Sequence, residues 1–128
     1  MQKKLLFGLL GFALLTIIFT SCRVVDASTL PKNPKVQMGQ SNFLVQTVSI
    51  NKGQSIDLID TVSSNHVILN GRWNGSKQEP KKEANAPDVN VTVSAAGQSK
   101  TIGPFATAGS YNIYCNVHQG MNLIIAVK

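Results

Sequence analysis

Residues 109–121, which read GSYNIYCNVHQGM, are the stretch that decides both the fold and the chemistry of this chain. A thiol, an imidazole and a thioether occur within seven residues there, at Cys115, His118 and Met121. They follow a run of aromatic and branched residues that predicts a β-strand, and Gly120 indicates a turn. The segment therefore predicts a strand that ends in a short loop carrying three candidate metal ligands.

A fourth candidate ligand, His66, precedes this loop by about fifty residues in the sequence. His66 and His118 are the two histidines of the chain, and Cys115 is its one cysteine after residue 22. Two imidazoles, a thiolate and a weak axial thioether are the ligands of a type 1 copper site. Thiolate and thioether suit Cu(I), whereas imidazole is acceptable to both oxidation states, so a stiff site of this kind changes little when one electron moves. The sequence predicts one type 1 copper ion per chain, bound by His66, Cys115, His118 and Met121.

The rest of the chain after residue 34 predicts short strands. Apolar or alternating runs separated by turn residues occupy residues 42–50, 55–62, 66–69, 88–95, 100–105, 111–115 and 122–127. Such runs predict an all-β fold, a Greek-key β-sandwich of about seven to eight strands. Residues 70–87 are polar and rich in glycine and proline, which favours a long loop, either ordered or disordered.

The composition fits one small globular domain together with an apolar segment. The chain has 128 residues, of which 43% are hydrophobic and 14% are charged, and this argues against wholesale disorder. Two cysteines and two histidines exclude a disulfide-rich scaffold and a zinc site built from CxxC pairs. The length excludes a TIM barrel and a two-domain dinucleotide-binding enzyme.

The basic residues do not predict a nucleic-acid partner. The formal net charge is +6, but no arginine-rich run interleaved with aromatic residues is present in the sequence. Lys77, Lys81 and Lys82 are interspersed with Glu79 and Glu83, which is typical of a mixed, solvated surface. If these lysines act on a partner at all, they would steer an acidic one.

The N-terminus has the pattern of an export signal. Lys3 and Lys4 precede an apolar run from residue 5 to residue 19, which predicts a signal peptide over residues 1–21. The run is shorter than the roughly 20 apolar residues of a membrane span, so a retained helix is the weaker interpretation. Residues 22–34 contain two prolines and little periodicity, which predicts a tether before a domain at residues 35–128.

Two processing routes are compatible with this signal. Residues 19–22, FTSC, resemble a bacterial lipobox, which predicts lipidation of Cys22 and anchoring to the membrane. Phe19 departs from the leucine that is usual at that position. Alternatively, residues 25–27, VDA, resemble an ordinary signal-peptidase site, which would leave Ser28 at the mature N-terminus.

The metal-ligand pattern resembles that of the cupredoxins, close to the plastocyanin and amicyanin branch. The resemblance spans residues 36–128, is strongest over residues 105–127, and includes the turn at residues 51–54, NKGQ. The short Cys-x2-His-x2-Met spacing is similar to that of amicyanin. The resemblance implies a cupredoxin-like fold with Tyr111 as the tyrosine corner. It also implies an electron-transfer surface formed by the exposed rings of His118 and Tyr114.

The sequence departs from that family beside the first histidine. The family commonly has an asparagine directly after this ligand, where it joins the two ligand loops by hydrogen bonds. This chain has Val67 there, and Asn65 precedes the histidine instead. Because such outer contacts orient metal ligands and tune the metal, the departure affects the reduction potential more than copper binding itself.

These observations predict an exported one-electron carrier on the periplasmic or other extracytoplasmic face, lipid-anchored to the membrane. Its partners would be redox proteins, with no nucleic acid and no small-molecule substrate. The alternative is a copper-handling protein (a chaperone, store or sensor) that uses the same ligands. An enzyme is not expected, because an oxidase or nitrite reductase would need further histidine ligands. A dinuclear copper site would need a second cysteine where the chain has Gln119.

Overall fold

The computed structural model describes residues 32–128, which form β-strands without a helix. The signal peptide, Cys22 and the tether up to residue 31 were predicted from sequence and lie outside the described residues. The strands are β1 (Lys35–Met38), β2 (Thr47–Ile50), β3 (Ile56–Asp60), β4 (His66–Asn74), β5 (Lys77–Pro80), β6 (Asn90–Val93), β7 (Ser99–Ile102), β8 (Gly109–Cys115) and β9 (Asn122–Val127). No membrane-spanning helix is found among residues 32–128.

The strands form two sheets. The first sheet has the order β1-β3-β7, in which β1 runs parallel to β3 and β7 runs antiparallel to it. The second sheet has the order β2-β9-β8-β4-β5, and β6 pairs with the first half of β4. In this sheet β2 is parallel to β9, whereas β8 is antiparallel to both β4 and β9. The predicted all-β sandwich is confirmed.

The hydrophobic core follows from the alternation of side chains along the strands. In β3 every second residue is buried, and β9 has the same period of two. The inward side chains of both sheets form one cluster. Its fully buried aliphatic and aromatic members include Leu58, Ile68, Phe105, Ile113 and Leu123. This packing supplies a stiff scaffold for the loops at the ends of the strands.

The described residues contain nine strands, more than the predicted seven to eight. All seven predicted runs contain a strand, and β1 and β5 are additional. The predicted loop over residues 70–87 is wrong for residues 70–80, because β4 continues to Asn74 and pairs antiparallel with β5. The polar residues of this hairpin carry little of the alternation by which the other strands were predicted.

Gly71 lies where β4 stops pairing with β8 and begins to pair with β5. It has a φ of 122°, a conformation that residues with a side chain rarely adopt. A Cβ atom at this position would clash with the carbonyl oxygen of Glu79. The glycine therefore lets β5 approach β4 closely, and this hairpin comes to lie against the end of β8, as described below.

Candidate metal centre

The pairing of β4 with β8 brings two of the predicted ligands to the same end of the second sheet. His66 is the first residue of β4 and Cys115 is the last residue of β8. In the antiparallel register Ile68 lies opposite Cys115, so His66 is two residues from the cysteine's partner. Ligands about fifty residues apart in sequence thus become neighbours through ordinary strand pairing.

The turn between β8 and β9 supplies the other two predicted ligands. The backbone N–H of Cys115 donates to the carbonyl of Met121 at 3.0 Å, and the N–H of Met121 donates to the carbonyl of His118 at 3.2 Å. These two bonds close the turn and fix the three residues relative to one another. Met121 is buried directly before β9, whereas His118 is only partly buried.

Three of the predicted ligands form a cluster with metal-binding geometry. One donor atom from each of His66, Cys115 and His118 lies within 4.8 Å of the other two. The Cys115 Sγ atom is 3.5 Å from Nδ1 of His118, and the centroids of the two imidazole rings are 5.0 Å apart. Cys115 is buried and forms no disulfide within the described part of the chain. The structure thus brings together a thiol and two imidazoles, with the thioether of Met121 in the same turn.

His66 carries the strongest sign that this cluster is built for a metal ion. The residue is 0% exposed, and among residues 32–128 neither of its ring nitrogens has a hydrogen-bond partner. Buried polar atoms without a partner are rare and costly, and a bound metal ion would satisfy one of these two nitrogens. Nε2 lies 3.9 Å from a carboxylate oxygen of Asp60, so Nδ1 is the nitrogen that we expect to bind the metal ion. The donor set and this unpartnered atom together fit copper, whereas methionine is a poor ligand for zinc.

Burial also keeps the His66 ring neutral and available as a ligand. Desolvation lowers the pKa of His66 below its ordinary value of 6.5, and the nearby His118 lowers it further. The negative charge of Asp60 and a main-chain contact with Gly39 oppose these effects. A neutral imidazole is the form that binds a metal ion, so the environment favours metal binding near neutral pH.

His118 is held at the mouth of the cluster by contacts on both ring nitrogens. Nδ1 faces Cys115, and Nε2 lies 3.5 Å from the hydroxyl of Ser64. That hydroxyl in turn donates to the carbonyl of Gln40 at 2.6 Å. The partly exposed position agrees with the expectation that His118 reaches the surface.

The hairpin formed by β4 and β5 holds the main chain around Cys115 from outside. The indole N–H of Trp73 donates to the carbonyl of Cys115 at 2.7 Å, and the side-chain amide of Gln78 donates to the carbonyl of Asn116 at 3.1 Å. Asn122 at the start of β9 exchanges two hydrogen bonds with the backbone of Trp73. The hairpin therefore connects the two strands that flank the ligand turn.

Tyr114 is buried by this hairpin, so the prediction that its ring is exposed is wrong. The residue is 1% exposed. Its ring packs edge-on against that of Trp73, with 6.2 Å between the ring centroids. Its hydroxyl donates to Oε1 of Gln78 at 3.3 Å. The same burial raises the pKa of Tyr114 above its ordinary value. The physical reason is that β5 covers this side of β8, in a region predicted to be a loop.

Two further expectations concern the surroundings of the ligands. Tyr111 forms the predicted tyrosine corner, since its hydroxyl donates to the carbonyl of Thr107 at 2.8 Å. Val67 cannot provide the side-chain bonds of an asparagine, but its carbonyl accepts the N–H of Asn116 at 3.0 Å. The two ligand loops are therefore joined through the main chain.

Sequence reasoning missed two residues of this environment, Asp60 and Trp73. Asp60 is in register with the buried Ile56 and Leu58, so the alternation of residues 56–60 could have indicated a buried carboxylate. The sequence distinguishes Trp73 only as the one tryptophan of the chain. Nothing in the local pattern indicates that its indole would bind the carbonyl of Cys115.

Comparison with known protein families identifies a family of copper-binding proteins. The profile of a family described as copper binding proteins, plastocyanin/azurin family, matches residues 32–128. Among curated protein sequences, none is similar enough to count as a relative.

Solved structures with a similar fold include several copper proteins. A purple cupredoxin from Nitrosopumilus maritimus has a TM-score of 0.58 and 16% identity, and the match covers 75% of this chain and 100% of that one. Amicyanin from Paracoccus versutus has a TM-score of 0.57 and 19% identity, with coverage of 81% and 90%. A copper-containing nitrite reductase from Thermus scotoductus has a TM-score of 0.53 and 19% identity, but only 23% of that longer chain is covered, against 77% of this one. At these identities the similarity concerns the fold alone.

Proposed function

Because the chain belongs to the plastocyanin/azurin family of copper-binding proteins, we propose that it is a mononuclear type 1 copper protein that carries single electrons between redox partners. The observation that carries this proposal is the cluster of His66, Cys115 and His118, whose donor atoms lie within 4.8 Å of one another. We propose these three residues and Met121 as the ligands.

The ligand residues have separate roles in this proposal. Bound copper would supply a couple between Cu(II) and Cu(I), and the protein would keep the site similar in both states. Cys115 and His66 are buried on strands β8 and β4, where the core restricts their movement. Met121 is fixed by the turn bond to Cys115 and would supply a weak thioether ligand. His118 is partly exposed and would bring the site within reach of a partner.

The surface around His118 supports docking of a redox protein. Val117, the neighbour of His118, is 48% exposed, and Val62 is 44% exposed. Val62 is two residues from Ser64, whose hydroxyl lies beside the His118 ring. We propose that a partner docks on this apolar surface around His118. Tyr114 does not belong to it, since that ring is buried.

Charge steering toward an acidic partner is the weaker part of the proposal. Of the three lysines considered above, Lys82 already donates to Asp88 at 2.6 Å, and the nearby Arg72 pairs with Glu79 at 2.9 Å. Lys77 and Lys81 would therefore carry most of any attraction. Surface charges of this kind chiefly affect the association rate and are screened by salt.

We also propose that the protein is exported and anchored by a lipid on Cys22. The proposal rests on the signal pattern of residues 1–21 and on the lipobox-like FTSC sequence. Residues 22–34 would then form the tether, and residues 35–128 the copper-binding domain facing the periplasm or another extracytoplasmic space.

An absorption spectrum of the copper-loaded, oxidised protein tests the proposed site. A type 1 site should show an intense thiolate-to-copper charge-transfer band near about 600 nm. Cys115→Ser should abolish the band, whereas Cys22→Ala, which changes the other cysteine, should retain it. A colourless Cu(II) complex of the parent protein would refute the proposal.

Two rates distinguish an electron carrier from a copper-handling protein with the same ligands. A carrier should exchange electrons rapidly between its oxidised and reduced forms and should hold Cu(I) against a competing chelator. Slow self-exchange combined with ready transfer of Cu(I) to an apo acceptor would favour copper handling instead. No enzymatic role is proposed, because the ligand set uses both histidines of the chain.

A further inference from the structure

Asp60 is a buried carboxylate beside the proposed ligand His66. It ends β3 on the face that carries Ile56 and Leu58, and the side chains of both Asp60 and His66 are 0% exposed. Its Oδ1 atom lies 3.9 Å from Nε2 of His66. Within residues 32–128, His66 is the one ionisable partner that Asp60 has at this range.

The hydrogen bonds of Asp60 hold it in one orientation and suit its ionised form. Oδ1 accepts the backbone N–H of Val62 at 3.0 Å, and Oδ2 accepts the backbone N–H of Ser64 at 3.1 Å. A carboxylate only accepts hydrogen bonds, whereas a neutral carboxylic acid must also donate one. Both of these contacts come from donors, so both oxygens of Asp60 act as acceptors, as those of a carboxylate do. A buried charge is costly unless something compensates it.

We propose that Asp60 is a positioning residue for His66 that also sets the relative affinity of the site for Cu(II) and Cu(I), an inference that rests on the proposed function. The carboxylate attracts Nε2–H and so would leave Nδ1 as the ring nitrogen that binds the metal ion. A carboxylate behind a ligating histidine orients the ring and makes it a stronger donor. Its fixed negative charge stabilises the more positive ion, Cu(II), more than Cu(I).

Asp60→Asn separates this electrostatic role from the packing role of the side chain. Asparagine has nearly the same shape, and its carbonyl oxygen can still accept one of the two backbone N–H groups. The substitution therefore removes one negative charge and one of the two hydrogen bonds, and Asp60→Glu, which keeps the charge, distinguishes the two effects.

Asp57→Asn is the matched control, because it removes the same charge from the same strand. Asp57 lies three residues earlier and on the opposite face of β3. Its Oδ1 atom accepts hydrogen bonds from Thr101 at 2.7 Å and from Asn33 at 3.1 Å. Any general effect of net charge or of strand stability should appear in this variant too.

The experiment measures the affinities of the full chain for Cu(I) and Cu(II) separately, by competition with chelators, together with the reduction potential. For Asp60→Asn we expect the ratio of Cu(II) to Cu(I) affinity to fall about 10- to 100-fold. Each tenfold fall corresponds to a rise of about 59 mV in the potential of a one-electron couple. Asp57→Asn should change the ratio less than about threefold. Asp60→Glu keeps the charge, so its ratio of Cu(II) to Cu(I) affinity should be close to that of the parent protein.

The possible outcomes distinguish this inference from the proposed function. If Asp60→Asn weakens Cu(I) and Cu(II) binding equally, its role is structural and the inference is wrong, although the protein can still be a blue copper carrier. If the parent protein binds no copper as a blue site, both are wrong.

A measurement on the parent protein covers the case in which the variant does not fold. Infrared difference spectra of protein labelled with ¹³C-aspartate should show a carboxylate band that shifts between the Cu(I) and Cu(II) forms, and its absence would also overturn the inference.

Discussion

Replacing Trp73 with phenylalanine should destabilise the domain measurably, although Trp73 is not one of the proposed ligands. The substitution removes one donor, the indole N–H that lies 2.7 Å from the carbonyl of Cys115. The two bonds between the backbone of Trp73 and Asn122 do not depend on the side chain and should remain. A phenyl ring can also keep the edge-on contact with Tyr114.

The expected magnitude follows from what the lost bond leaves behind. A hydrogen bond contributes a net 0.5–1.5 kcal/mol or so, and leaving a partly buried carbonyl without a partner costs about 1–3 kcal/mol. The smaller ring also buries somewhat less apolar surface. We expect a loss of about 2 kcal/mol in the free energy of unfolding. For a domain of this size that is a fall of roughly 8–16 °C in Tm.

Thermal and urea unfolding followed by far-ultraviolet circular dichroism would measure this change, because the variant lacks the chain's one tryptophan and its fluorescence. Arg72→Ala is the control on the same strand, since the Arg72 side chain is 57% exposed and pairs with Glu79 at the surface. It should cost less than about 0.5 kcal/mol. If Trp73→Phe costs no more than Arg72→Ala, the indole bond does not hold the end of β8 and the structural account of the hairpin is wrong.

Two further predictions concern the proposed site and the proposed anchor. Met121→Gln replaces the soft axial thioether by a harder oxygen, so the reduction potential should fall while the charge-transfer band and Cu(I) retention persist; a potential that rises or stays constant in cyclic voltammetry would contradict an axial role. Labelled fatty acid should be incorporated into the full-length protein but not into Cys22→Ala, because Cys22 is the proposed lipidation site. One acyl chain anchors a protein only marginally, whereas several anchor it stably. Detection of Ser28 as the mature N-terminus would refute the lipid anchor.

The candidate ligands could be predicted because their residue types are scarce in this chain. With two histidines and one cysteine after residue 22, the order His66, Cys115, His118 and Met121 left few alternative arrangements. The strands could be predicted equally well, because a half-buried strand alternates apolar and polar residues. Both predictions used patterns that are local in the sequence.

The β4–β5 hairpin was not predictable in this way, because its function in the fold depends on contacts across about forty residues. β5 has the sequence KQEP, with three exposed residues, and shows no apolar face. It is stabilised by pairing with β4 and by the bond from Gln78 to Asn116. The burial of Tyr114 depends on this same hairpin, so an error about one region became an error about the electron-transfer surface.

The departure at Val67 takes on a different meaning once these contacts are considered. The sequence lacks the asparagine that commonly joins the ligand loops in this family, and this absence was expected to affect the reduction potential more than copper binding. In the structure the loops are joined by the bond from Asn116 N–H to the Val67 carbonyl, and the carbonyls of Cys115 and Asn116 are held by Trp73 and Gln78. The restraint is therefore distributed over several main-chain groups, each with its own partner. Because carbonyls of the ligand loop are bonded from outside, the hairpin can limit its movement without contributing a ligand, and a stiff loop is what small structural change between oxidation states requires.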